Sequence, residues 1–131
     1  MAAPRITTPA YLRRARTCYD HLAGEVAVSL YQRLTERGWL TEEGSALTTQ
    51  GSAMLAELGI AVAPAGSRRK FSCACLDWSE RRYHLGGALG AALLSWFEQQ
   101  RWMEKDIGSR CVRITAKGAQ GLKRHFGVQA V

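Results

Sequence analysis

The chain has no apolar run approaching the ~20 residues needed to cross a bilayer. Its most apolar stretch, Leu85 to Phe97, is shorter and has the character of a core helix. Met1 to Pro9 contains no apolar block ahead of a cleavage-like site, so no secretory signal is expected. Catalytic strings are missing too: there is no G-x-S-x-G, no H-E-x-x-H, and no phosphate-cradling glycine loop with its lysine. A Cys–His pair, Cys18 or Cys75 with His21 or His84, has the chemistry of a nucleophile and base, but nothing else builds an oxyanion site around it. These absences predict a cytoplasmic protein with no membrane partner and no enzymatic activity. Cysteine is sparse, with four residues: Cys18, Cys73, Cys75 and Cys111. Without a secretion signal, and with a full hydrophobic complement, they are expected as reduced thiols.

What is present is enough for one ordinary domain. The 131 residues are 47% hydrophobic and 22% charged, a globular balance. A chain of this size buries roughly two thirds of its unfolded surface. Acids are outnumbered, and the formal net charge is +7, which suits a polyanionic partner. The excess is unevenly placed. Residues 1–20 carry +3, residues 21–60 carry −3, residues 61–83 carry +3 and residues 84–131 carry +4.

The chain also repeats itself. "HLAGEVAVSLYQRLTERGWL" at 21–40 aligns without a gap on "HLGGALGAALLSWFEQQRWM" at 84–103. Leu22, Val26, Leu30 and Leu34 make one helical stripe, and Leu85, Leu89, Leu93 and Phe97 make its counterpart. Small residues flank both stripes and allow close approach of another backbone. Each helix is expected to end near Arg37-Gly38 or Gln100-Arg101. A hairpin follows, opened by Trp39-Leu40 or Trp102-Met103 and turning at Glu42–Ser45 or Asp106–Ser109. Thr48 and Thr115 are placed to cap the next helices. Those helices stop at the glycines of "LGI" (58–60) and "FGV" (126–128). A fainter echo precedes each copy: "CYDH" at 18–21 and "CLDW" at 75–78, the second followed by six extra residues before His84. The resulting division is a basic N-terminal helix (1–20), a first repeat (21–60), a linker and connecting segment (61–83) and a second repeat (84–131).

Helix, hairpin with a glycine tip, threonine-capped helix: this order resembles the back half of a winged helix. The strings "RTCYDHLAGEVAVSL" (16–30) and "CLDWSERRYHLGGALGAALL" (75–94) resemble the C-terminal half of ArsR-type winged helix-turn-helix transcriptional regulators. The resemblance spans nearly all of residues 10–128. On this resemblance, the N-terminal DNA-binding domain of that family is not expected within these residues. The resemblance implies transcription control, with this half serving regulation, assembly as a possible homodimer, or auxiliary contact with double-stranded DNA. The expected fold is mainly α with small β-hairpins, two tandem winged-helix-like repeats packed as one compact unit.

Two sets of candidate residues follow. For DNA, the second hairpin offers Lys105, Arg110 and Arg113, with Lys117 opening the next helix, and the linker offers Arg68, Arg69 and Lys70. The helix at 84–100 supplies only Ser95, Gln99 and Gln100 for reading base edges, so phosphate-dominated contact is the expectation. The alternative is a thiol-based metal or redox sensor holding a soft metal ion. Cys18, Cys73, Cys75 and His21 are its candidate ligands, and Asp20, Asp77 and His84 are also of ligand type. No C-x-x-C pair is present, and a duplicated Cys and His marks duplicated packing more simply than one shared site. The preferred reading therefore has no metal, with Cys18 and Cys75 as small buried hydrophobes and the histidines as helix-start residues. Asp20 and Asp77 are expected as helix caps or surface groups.

Overall fold

The computed structural model describes residues 10–60 and 71–130. The described residues open with helix α1 (Ala10–Arg14), then strands β1 (Arg16–Cys18) and β2 (His21–Ala23), and helices α2 (Glu25–Glu36) and α3 (Thr49–Leu58). The second half runs β3 (Cys73–Leu76), β4 (Tyr83–Gly86), α4 (Gly87–Gln99), β5 (Met103–Lys105), β6 (Val112–Ile114) and α5 (Ala116–Gly121). A π-helical turn (Leu122–Phe126) extends α5.

The helical stripes fold as their spacing requires. α2 buries Val26, Leu30 and Leu34, and α4 buries Leu89, Leu93 and Phe97. Thr48 and Thr115 cap α3 and α5, accepting from the Gly51 and Gly118 N–H at 3.0 and 2.9 Å. Gly59 and Gly127 terminate the last helix of each half at φ 89° and 70°, the left-handed conformation that glycine adopts without penalty. Phe97 stacks on Trp102, and Phe126 meets both edge-on.

The tandem winged-helix expectation is overturned. The described residues form five α-helices and three separate two-stranded antiparallel sheets. Each long helix is preceded by a hairpin, β1–β2 or β3–β4, that a winged-helix repeat does not contain. The first wing is reduced to a single Leu40–Leu47 bridge. The two halves are also not self-contained, because α2 packs on β4 and α4 packs on β2. One continuous core holds residues of both. The reason is area: an isolated helix and a strand of three or four residues cannot bury the apolar stripe, so each half covers the other's.

The N-terminal helix ends earlier than the basic pattern suggests. It stops at Arg14, and Arg16–Cys18 becomes a strand paired on both edges. On one side lies β2; on the other, the Thr17 N–H donates to the Arg110 carbonyl and the Val112 N–H to the Ala15 carbonyl. Tyr19, inside the expected 1–20 helix, is not helical. It sits almost fully exposed at the tip of the β1–β2 turn, with φ 55°.

Candidate functional site

The two early hairpins bring the ligand-type residues together. In β1–β2, Cys18 lies directly opposite His21; in β3–β4, Cys75 lies directly opposite His84. β2 and β4 pack face to face. One donor atom from each of Cys18, His21, Cys75 and His84 lies within 4.8 Å of the other three. The histidines are buried and the cysteines half-buried. Glycines make the approach possible. A Cβ on Gly90 would fall 2.5 Å from the Leu85 carbonyl oxygen and 3.1 Å from the His21 Cβ. A Cβ on Gly86 would fall 3.3 Å from the His21 ring.

The imidazoles face each other, Nε2 to Nε2, at 3.1 Å. The other nitrogen of His84, Nδ1, donates to Asp77 Oδ2 at 2.9 Å. An ionised carboxylate only accepts, so the His84 proton sits on Nδ1 and its Nε2 lone pair points at His21. The His21 Nε2–H is then the donor between the rings. Nδ1 of His21 lies 3.6 Å from the Asp20 carboxylate.

Asp77 organises the surroundings. It is fully buried and receives six donors from five residues. The Arg16 guanidinium reaches it at 2.8 Å, the Gly24 N–H at 2.6 Å, His84 at 2.9 Å, the Ser79 hydroxyl and N–H at 2.9 and 3.0 Å, and the Glu80 N–H at 3.2 Å. Arg16 is itself only 1% exposed. It also donates to the Leu12 carbonyl and Ser79 Oγ and lies 3.9 Å from the Trp78 ring centroid. Asp77 is thus neither a surface group nor a cap on its own element: it joins β1, the start of α2 and the β3–β4 hairpin.

Burial alone would raise the Asp77 carboxyl, but the bonds from Gly24, Arg16 and Ser79 outweigh it and hold the group well below the usual carboxylate range. Burial lowers His84 below its ordinary value, against the pull of Asp77. Burial also pushes the Cys75 thiol up to about 11, helped by Cys18 beside it and its hydrogen bond, then by Cys73 and Asp77.

The set brought together differs from the set the sequence suggested. Cys18, Cys75 and His21 are in it, and His84 takes the place of Cys73. Cys73 lies one pleat further along β3, opposite Gly86, which has no side chain to offer a donor. The histidines are strand residues, not helix starts. Arg16 and the hub role of Asp77 were missed. The "CYDH"/"CLDW" echo marks the Cys and Asp positions, and the six extra residues form the loop that returns His84 opposite Cys75.

The basic candidates lie elsewhere. Lys105 pairs with Glu98 at 3.2 Å and Arg113 with Glu104 at 2.6 Å. Arg110 donates twice to the Thr17 carbonyl. Lys117 is exposed in the first turn of α5. Arg68, Arg69 and Lys70 lie outside the described residues. No helix among the described residues is long and apolar enough to cross a membrane.

The chain is 40% identical over 121 residues to the HTH-type transcriptional regulator YdfF of Bacillus subtilis (strain 168), itself uncharacterized. The match takes in 90% of this chain and 54% of that protein. The chain therefore spans about half the length of this relative. No protein-family model matches the chain, and no solved structure matches it.

Proposed function

We propose that the chain acts in transcription control, as the regulatory and assembly part of an HTH-type regulator of the ArsR kind. The observation that carries this reading is the 40% identity to an HTH-type regulator over nearly the whole chain. The ArsR type rests on the resemblance of residues 16–30 and 75–94. The interior supports a role other than base reading. α2 and α4 are the helices a groove would have to admit, and both bury their stripes against the opposite hairpin. Contact with DNA, in this reading, runs through phosphates and the second hairpin, where Arg110, Arg113 and Lys117 stand exposed. Arg110 and Arg113 also hold partners within the chain, so the contact is weak.

Fluorescence anisotropy with duplex DNA tests the contact. Sequence-independent binding that falls steeply with salt is expected, with a shallower slope for Arg110→Ala combined with Arg113→Ala. Sequence-specific binding by this chain alone would refute the division of labour. Transcript profiling of cells with and without the protein tests the regulatory role. A small responsive gene set is expected, and an unchanged profile counts against the role.

A further inference from the structure

We propose that Cys18, His21, Cys75 and His84 form a tetrahedral site for a zinc-class divalent ion, two ligands coming from each early hairpin. The inference stands on the hairpins and does not depend on the reading of the chain as a regulator.

The donor set comes first. Two thiols and two imidazoles are the Cys2His2 complement of a closed zinc site. Bonds of about 2.0–2.3 Å at tetrahedral angles place ligand atoms about 3.3–3.8 Å apart. The two Nε2 atoms already stand 3.1 Å apart, and all four donors lie within 4.8 Å. Closing the site therefore asks for small side-chain movements and no change of fold.

The surroundings are those of a metal site as well. A ligating histidine donates its second ring N–H to a carboxylate or carbonyl, which fixes the tautomer. Nδ1 of His84 does this with Asp77, and Nδ1 of His21 faces Asp20 at 3.6 Å. Both imidazoles thus point Nε2 inward with a carboxylate behind them. Asp77 itself is not a ligand, because both its oxygens are taken by other donors. His21 borders a surface depression that Tyr19, Asp20 and Gly87 also line.

The chemistry balances. The ion forms two bonds to sulfur and two to nitrogen. The Cys18 and Cys75 thiols each release a proton to solvent. The Nε2 proton of His21 is lost and Nδ1 of the same ring gains one. Two thiolates neutralise the divalent charge, so the buried site carries no net charge. No oxidant or reductant is involved.

The test uses the full chain, reduced and freed of metal, titrated with zinc and with cobalt(II). One ion per chain is expected, with the intense visible bands of tetrahedral cobalt and a thiolate-to-cobalt charge-transfer band. The four reactive thiols should fall to two on saturation with zinc. Cys18→Ser and Cys75→Ser should abolish the charge-transfer band or halve it, and His84→Gln should lower affinity at least 100-fold. Asp77→Asn should lower it by about 10–100-fold. Cys73→Ser and Cys111→Ser should bind as the parent does, and circular dichroism of each metal-free variant shows whether it folds. Four thiols that stay reactive in excess zinc overturn the site. So does cobalt binding that survives loss of Cys18 and Cys75, or that needs Cys73 in place of His84.

Discussion

Replacing Asp77 by alanine tests the central claim about how the halves are joined. Asp77 is fully buried, and its cationic partner, the Arg16 guanidinium, is 1% exposed at 2.8 Å. Truncation leaves Arg16 with the Leu12 carbonyl and the Ser79 hydroxyl, but without that counter-charge. Removing one partner of a buried pair costs about 3–5 kcal/mol. The Gly24 N–H, also buried, loses its acceptor and adds to the loss. With a urea slope of about 2 kcal/mol per molar for a chain of this size, the midpoint should fall by roughly 1.5–2.5 M. Metal-free protein is the right sample, so that no ion contributes. Arg16→Met, Asp77→Asn and the double variant complete a cycle whose coupling should reach about 1–3 kcal/mol. A loss below about 1 kcal/mol, the range of an exposed pair, would show that the hub does not hold the fold. A coupling near zero would show that Arg16 and Asp77 act independently.

Two further outcomes concern the later part of each half. A Cβ on Gly51 or Gly118 would fall 2.1 or 2.0 Å from the carbonyl oxygen of Trp39 or Trp102. Because backbone cannot swing aside, Gly51→Ala and Gly118→Ala should each cost the upper end of about 1–3 kcal/mol or more. Gly59→Ala, at φ 89° with nothing within 4 Å, should cost only about 1–2 kcal/mol; equal losses in urea titrations would refute the close-approach argument. Thr115→Ala removes the cap on Gly118 and should cost about 1 kcal/mol, whereas Thr115→Ser should restore most of it.

The parts of the fold that are local were legible in the sequence. Helical spacing gave α2 and α4, threonines gave the caps of α3 and α5, and glycines gave the two left-handed stops. The early hairpins were not legible, for definite reasons. Their strands are three or four residues long, too short for alternation to show. Their turns carry none of the expected Gly, Asn or Pro signals; Tyr19 and Arg81 take the positive φ angles instead. All four clustered donors were of ligand type in the sequence, and three of them, Cys18, His21 and Cys75, were candidate ligands. Cys73 was preferred to His84 because Cys-x-Cys is contiguous in sequence, whereas the His84 contribution depends on pairing across a loop. Strand alternation does put Cys73 and Cys75 on one face. The residue opposite each decides the outcome: Gly86 faces Cys73, and His84 faces Cys75.

Duplication does not keep the two Cys–His pairs apart. A repeated Cys and His argues against a shared site only if the two copies point away from each other. Here each long helix needs the other copy's hairpin to cover its apolar stripe, so β2 and β4 are driven face to face. Whatever the first hairpin presents inward then meets its own counterpart. One Cys–His pair is too few donors to hold an ion, and two such pairs that meet make four. Asp77 extends the same logic, because it sits behind His84 yet bonds to Gly24 at the start of α2 and to Arg16 on β1. A change in the spacing of the two hairpins must therefore be felt at the first turn of α2. The packing that prevents the halves from being separate winged helices is the packing that assembles the site.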